Sequence, residues 1–380
     1  MADTILILGN GFDLAMGRKT SYSDFVEFAN NLFLDIEDNL QSFLNSNNID
    51  IEKYKDNYYL RFINENRSTL GENWCNLETM ISQLAEAIDF FRLNSDKLYL
   101  KNGELYPQYV GQFHKMMNKE GNSASKIFIG TIIFKLYYSS GWDKLERELA
   151  ISELNNLFIN HLDLLTELLE IYLSYRDYVD FEINKIAPVK TALNAIDNIS
   201  ESSVISFNYT HTPNKLFNIS LEKIHFIHGE IDLNRSKSKI NTMVFGIEDK
   251  GNDVNSDLIP YQKYYQRVVK ETGSKYEEFF KPIRAEDLYG GLKKKNIIVF
   301  GHSVDPLDKE IFQKCFALTS YNPYNYRFIF TYYNESTKRS IVKNLAIILG
   351  KDKLVELTGN RNVVFIKSDD VDGMREVLLD

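Results

Sequence analysis

Asp3-Thr-Ile-Leu-Ile-Leu-Gly-Asn-Gly-Phe-Asp-Leu-Ala-Met-Gly17, at the start of the chain, decides how the rest is read. Residues 4–8 are a short aliphatic run rich in β-branched side chains, the pattern of a strand buried on both faces of a parallel sheet. The run enters Gly9-Asn10-Gly11, where two glycines permit a sharp turn and a close approach of backbone to a ligand. A helix starting there would turn its free N–H groups toward an anion. The spacing departs from G-x-G-x-x-G, because Gly17 stands six residues after Gly11 instead of three. The order strand, glycine turn, helix start is retained.

The composition sets the outer bounds. With 380 residues and 44% hydrophobic content the chain can bury a large core, in one large or two ordinary domains. No apolar run approaches the roughly 18 to 20 residues of a bilayer span. The first apolar segment follows Asp3 without the charged n-region and cleavage site of a leader, so a cytoplasmic protein with no membrane partner is expected. Cys75 and Cys315 are the only cysteines, which excludes a disulfide framework and a four-cysteine zinc site. A formal charge of −9 argues against nucleic acid as a partner. The basic stretches 235–239 and 293–295 read as solvated loops, and the 23 Tyr and 25 Phe as packing material.

From about residue 20 to about 200 the periodicity is helical. Thr20-Ser-Tyr-Ser-Asp-Phe25 offers N-caps for a helix through Phe28, Leu32 and Phe33 toward Phe43, broken at 45–50. A second helix is expected over 74–93, with Leu77, Ile81, Leu84, Ala85 and Ile88 on one face. A third is expected over 123–138 and a long fourth over 142–178. Trp74-x-x-Leu77-Glu78 and Trp142-x-x-Leu145-Glu146 echo each other without extending into a repeat. They read as helix-start anchors with first-turn carboxylates.

Short apolar runs then return at 204–207, 223–227, 243–247, 296–300, 326–332 and 363–367, the later ones separated by helical patterns. This alternation predicts an α/β fold, an open parallel Rossmann-like sheet flanked by helices, with right-handed crossovers. The first strand should join it. Residues 1–20 and 200–380 then form the nucleotide-binding core, and 21–199 a large helical insertion. Such sheets bind ligands at the carboxyl ends of strands where the strand order reverses.

Four expected strands end in polar or glycine-containing groups: Gly9-Asn10-Gly11, Phe207-Asn208-Tyr209-Thr210-His211, His228-Gly229 and Gly301-His302-Ser303. Each has a structural explanation alone. Asn208 or Thr212 could cap the helix that Pro213 starts, and Gly229 could simply turn the chain. Their convergence on one rim is the functional signal. The glycine spacing, the Asn after a strand, the His-Gly and the late Gly-x-Ser resemble, in order, the sirtuin-like NAD-binding domains. The phrases Ile7-Leu-Gly-Asn-Gly-Phe-Asp-Leu14, Thr20 to Phe25, Ser206-Phe-Asn-Tyr-Thr210, Ile227-His-Gly229 and Phe300-Gly-His-Ser303 together resemble the AbiH family of bacteriophage abortive-infection proteins. The paired Cys-x-x-Cys motifs of the sirtuin deacylases are absent.

The resemblance implies NAD+ as substrate and cleavage of its nicotinamide–ribose bond through an oxocarbenium-like state. Asn208 would hold a water molecule or the ribose, and His228 would be the general base, an imidazole being suited to neutral pH. The implied nucleotide-binding set is Gly9, Asn10, Gly11, Phe12, Asp13 and Gly17 at the first strand, Tyr209, Thr210 and Gly229 near the catalytic pair, and Gly301, His302, Ser303 and Asp308. Asp13 would repel a pyrophosphate unless it points away, holds a ribose hydroxyl or bonds backbone amides. His302, His211 and His225 are rivals for the base. A strand places His225 on the face opposite His228, which suits a buried structural role. His225-x-x-His228 has no third ligand, so no metal is expected. Asp305-Pro-Leu-Asp308 reads as N-cap, first-turn proline and first-turn carboxylate, with Asp308 near the nucleotide as the functional alternative.

Two functions follow as expectations. The first is an antiphage NAD+ hydrolase releasing nicotinamide and ADP-ribose. The alternative is a non-catalytic nucleotide-binding sensor or interaction module of a phage defence system. A nucleic-acid-cleaving toxin lacks both a basic groove and a compact carboxylate set. The expected partners are NAD+ or a related nucleotide, a second copy in a homo-oligomer, and a phage-derived trigger.

Overall fold

The structure, a computed structural model, describes residues 4–34, 36–66, 74–94, 124–138, 147–235, 241–248, 257–280, 294–320 and 325–380. Six strands, β1 (Thr4–Leu8), β2 (Ser203–Ser206), β3 (Ile224–Phe226), β4 (Lys294–Phe300), β5 (Asn325–Tyr332) and β6 (Val363–Lys367), pair in the order β3-β2-β1-β4-β5-β6. Every pairing is parallel. This is the expected α/β, Rossmann-like sheet flanked by helices, and β1 sits at its centre, with Leu6 opposite Val204 on one side and Ile298 on the other. The strand order reverses between β1 and β4.

The absence of polar alternation in β1 has a direct cause. Ile5, Ile7, Ile205, Ile297 and Val299 pack on one side of the sheet with Phe312, Phe316, Ile341 and Leu345 from the helices Lys309–Ser320 and Glu335–Leu349. Leu6, Leu8, Val204, Ile298 and Phe300 pack on the other side with Phe12, Leu216, Met374 and Val377. Both faces are covered, so each strand position contributes burial worth roughly 1.5–3 kcal/mol for a large aliphatic side chain.

The chain divides into two compact units. One contains Met1–Thr20, Leu173–Met243 and Lys270–Asp380, and the other Ser21–Tyr172 and Val244–Val269. The division at 20, 199 and 200 read from the sequence therefore differs at two places, since 173–199 joins the sheet unit and 244–269 the helical one. The second difference has a local reason. Residues 243–247 form no strand; Ile247 makes only an isolated bridge with Gln262. The Phe245 N–H and carbonyl are bonded instead by the Gln266 side chain, at 2.9 and 3.1 Å. A side-chain amide takes the place of a ladder neighbour.

In the helical unit the expected first helix is two helices, Tyr22–Asn31 and Asp38–Ser46. Ser21 and Asp24 close a capping box at the first, and the acidic Asp38 opens the second, where a helix dipole favours it. Helices at Trp74–Asn94, Ala124–Tyr138 and Arg147–Asp177 match the other three expectations within a few residues, but the Trp142 phrase lies outside the described residues. So do 236–239 and 293 of the basic stretches. A π turn, Tyr178–Ile183, continues the long helix. No helix among the described residues is long and apolar enough to cross a membrane.

Candidate active site at the carboxyl rim

At the switch point the loops after β1 and β4 are interlocked. The Gly9 N–H donates to the Phe300 carbonyl at 3.1 Å and the Gly11 N–H to the Gly301 carbonyl at 2.8 Å. Gly301 has φ +69°, and a Cβ on it would lie 2.1 Å from the Phe12 nitrogen. A Cβ on Gly9 would lie 2.7 Å from the Gly301 oxygen. These glycines allow backbone to meet backbone. The amides of Gly9, Gly11 and Phe12, expected to face a pyrophosphate, bond Phe300, Gly301 and Gly9. The helix they open, Asn10–Ala15, is six residues long and ends ahead of Gly17, which takes a left-handed turn at φ +77° with no atom near its Cβ position.

Side chains of this first loop point inward. Asn10 accepts from the Thr20 hydroxyl at 2.9 Å, and Phe12 is fully buried against Phe217 and Phe300. Asp13, 1% exposed, accepts from the Thr210 hydroxyl and lies 3.6 Å from Arg18. Its carboxylate is thus held inside the protein by Thr210 and Arg18. Burial raises its pKa above the ordinary carboxylate value, against the pull of Arg18, Thr210, Thr212 and Asn208. Arg18 also binds Asp177 at the end of the long helix and Asp180 in the π turn. Burial raises Asp177 too, again against Arg18.

Asn208 stands two residues beyond the end of β2. Its carboxamide donates to the Gly9 carbonyl at 3.1 Å, and its N–H bonds Ser206 Oγ. Tyr209 accepts the Ile231 N–H through its carbonyl. Asn208 does not cap the helix Thr212–Phe217; the N-cap position there is His211, without a side-chain bond. Gly229 takes φ +75°, its Cβ position only 2.0 Å from the Thr242 oxygen.

His228 is 5% exposed, and its Nε2 lies 3.2 Å from Asp308 Oδ1. The other oxygen of Asp308 lies 3.5 Å from His302 Nε2. The His302 ring packs on Phe207 and Phe312 at 4.3 and 5.0 Å, and Phe207 also meets His228 at 5.6 Å. Asp305 caps the turn Pro306–Asp308, as its sequence indicates, and the same turn carries Asp308 to both histidines. The structural and functional readings of that phrase are compatible. Ser303 is exposed, and its carbonyl accepts from Asn344. Among the described residues no set of three or more His, Cys, Asp or Glu is arranged to hold a metal ion.

Two rivals for the base are placed elsewhere. His211 is engaged by Glu230 at 2.6 Å. His225 lies within β3 against Tyr276, and burial lowers its pKa to about 4. The rim therefore brings together Asn208, His228, His302 and Asp308, linked through Gly9 and Gly301. Sequence reasoning missed Arg18, Asp177, Asp180, Phe312 and the packing role of Phe207. Phe207 stood in a phrase already singled out; the others carry no local signal, because their partners lie far along the chain.

No curated protein and no solved structure matches the chain. The family model described as Bacteriophage abortive infection AbiH matches residues 5–332, and the chain belongs to that family.

Proposed function

We propose that this protein acts in abortive infection by hydrolysing NAD+ at the nicotinamide–ribose bond, in a sirtuin-like site at the carboxyl rim of the sheet. The observation that carries this reading is the convergence of Asn208, the His228–Asp308 pair and His302 beside the strand-order reversal. The oxygen of water bonds to the ribose C1′ as the C1′–N bond breaks, and its electron pair leaves with neutral nicotinamide. The water proton passes to His228 and then to solvent. Asn208, anchored on Gly9, orients the ribose or the water. Phe207 and Phe312 border the histidines with apolar surface, which strengthens charge interactions nearby. A homo-oligomer and a phage-derived trigger are part of the proposal.

The test is release of nicotinamide from NAD+ by purified protein, beside Asn208→Ala and His228→Ala forms with native circular dichroism. Turnover lost in both variants supports the hydrolase. No turnover at any protein concentration refutes constitutive hydrolysis. In either this reading or the alternative of a non-catalytic nucleotide-binding sensor, the glycine-loop amides are bonded within the protein, so a nucleotide must be recognised by other groups or displace those bonds. Binding of NAD+ by calorimetry, without nicotinamide release, would identify the sensor.

A further inference from the structure

The partner of the Asn208 carboxamide decides which way it is turned. The Gly9 carbonyl only accepts, so the atom facing it at 3.1 Å is Nδ2, and Oδ1 is turned elsewhere. Oδ1 makes no hydrogen bond among the described residues. Gly9 is itself fixed, because its N–H bonds Phe300 and its carbonyl also takes the Phe12 N–H at 2.8 Å. Asn208 lies in the bends between β2 and the helix Thr212–Phe217, outside either element, so its side chain depends on how the loop around it is held.

A directed chain of side-chain hydrogen bonds fastens that loop. The Arg18 guanidinium can only donate, and it donates to Thr212 Oγ1. The Thr212 proton then goes to Thr210 Oγ1 at 3.1 Å, and the single proton of Thr210 to Asp13 Oδ2 at 2.5 Å. Arg18, Asp13, Thr210 and Thr212 are buried, so water does not compete for these bonds. Gly9 is the N-cap of the helix Asn10–Ala15 and Asp13 lies about one turn along it. Asn208 meets the first of these positions and Thr210 the second. The loop after β2 is thus held to the loop after β1 at two points, and a segment held at two points cannot pivot about either.

We propose that Thr210 is a positioning residue, its hydroxyl carrying the chain from Arg18 and Thr212 to Asp13 and so holding Asn208 with Nδ2 on Gly9 and Oδ1 left to the substrate. Asp13 then serves the site from inside the protein, as the anchor of the Asn208 loop. The catalytic consequence rests on the hydrolase reading; the fastening rests on geometry alone.

The experiment compares Thr210→Val, which keeps the shape and removes the hydroxyl, with Thr210→Ser, which keeps the hydroxyl. The first readout is NMR of the Asn208 side-chain N–H2 in the full chain, assigned with Asn208→Ala. In the valine form these protons should leave their native shifts and exchange with solvent about tenfold faster, the loss of one ordinary hydrogen bond, while the serine form keeps the native signals. In the NAD+ assay the valine form should lose about 10–10² in kcat with KM changed less than about threefold, and serine should restore most of the loss. Asp13→Ala breaks the same contact from the first loop and serves if the valine form does not fold. Native amide signals in the variant that breaks the contact, an unchanged kcat, a loss confined to KM, or a serine form as impaired as the valine form overturns the proposal. If native protein releases no nicotinamide, the hydrolase reading and the catalytic consequence fall together, and the amide signals alone support or overturn Thr210 as the group that positions Asn208.

Discussion

Replacing Gly301 by Ala tests the interlocked loops directly, and Gly17→Ala supplies its control. Both glycines have positive φ, +69° and +77°, so both substitutions carry the cost of a left-handed alanine, about 1–2 kcal/mol, less up to about 1 kcal/mol from a stiffer unfolded chain. Gly17 has no atom within 4 Å of its Cβ position, and its cost stops there. At Gly301 the new carbon would meet the Phe12 nitrogen at 2.1 Å and the Gly11 carbonyl carbon at 2.4 Å. Both are backbone atoms, so no side chain can swing aside and the first loop must move by more than about 1 Å to reach ordinary van der Waals contact. That displacement breaks the Gly11-to-Gly301 hydrogen bond and leaves buried partners unmatched, a further cost of about 1–3 kcal/mol. The common cost cancels, so the expected difference between the variants is about 1–3 kcal/mol. Hydrogen exchange of the β1 and β4 amides should be read alongside urea denaturation, because two compact units need not unfold together. A Gly301→Ala protein no less stable than Gly17→Ala would refute the interlock.

Two pH effects follow from buried groups. His225 is 5% exposed, and burial, with a smaller contribution from Lys275, lowers its pKa from 6.5 to about 4. Between those values the unfolded chain binds the proton and the folded chain refuses it, so stability falls as pH drops through the window, by up to roughly 3 kcal/mol. His225→Phe, which keeps a ring against Tyr276 and sacrifices no hydrogen bond at Nε2, should flatten that fall; an unchanged slope in denaturation between pH 7 and pH 4 would contradict it. Asp13 behaves in the opposite sense. Its folded pKa lies above the ordinary 3.8, so its contribution is full below that value and is lost as pH rises through the raised one. Asp13→Asn should be at least as stable as native protein at pH 7, Arg18 keeping Asp177 and Asp180; greater destabilisation at pH 7 than at pH 4 would overturn this.

The sequence by itself determined the sheet and which strand lies at its centre. Burial on both faces leaves a local mark, so residues 4–8 with no polar alternation and five of the six later apolar runs could be read as parallel strands before any fold was known. The run at 243–247 misled because its apolar composition is also that of a buried segment whose backbone is satisfied by a glutamine side chain; periodicity cannot tell the two apart. The ends of the strands were legible as a set for the same reason, and Asn208, His228 and His302 do meet there. Only the tertiary structure decided what they do to one another. Asp308 could be read simply as a first-turn carboxylate, and its contact with His228 spans 80 residues. Gly9, Gly11 and Gly301 looked like openings for a ligand and are points where two backbones touch. Asp13 looked like a misplaced charge and is buried near Arg18, its pKa raised by that burial. Pattern records whether a residue is buried, because burial acts on each position separately. Which partner it meets depends on packing between segments far apart in the chain, and no single segment carries that information.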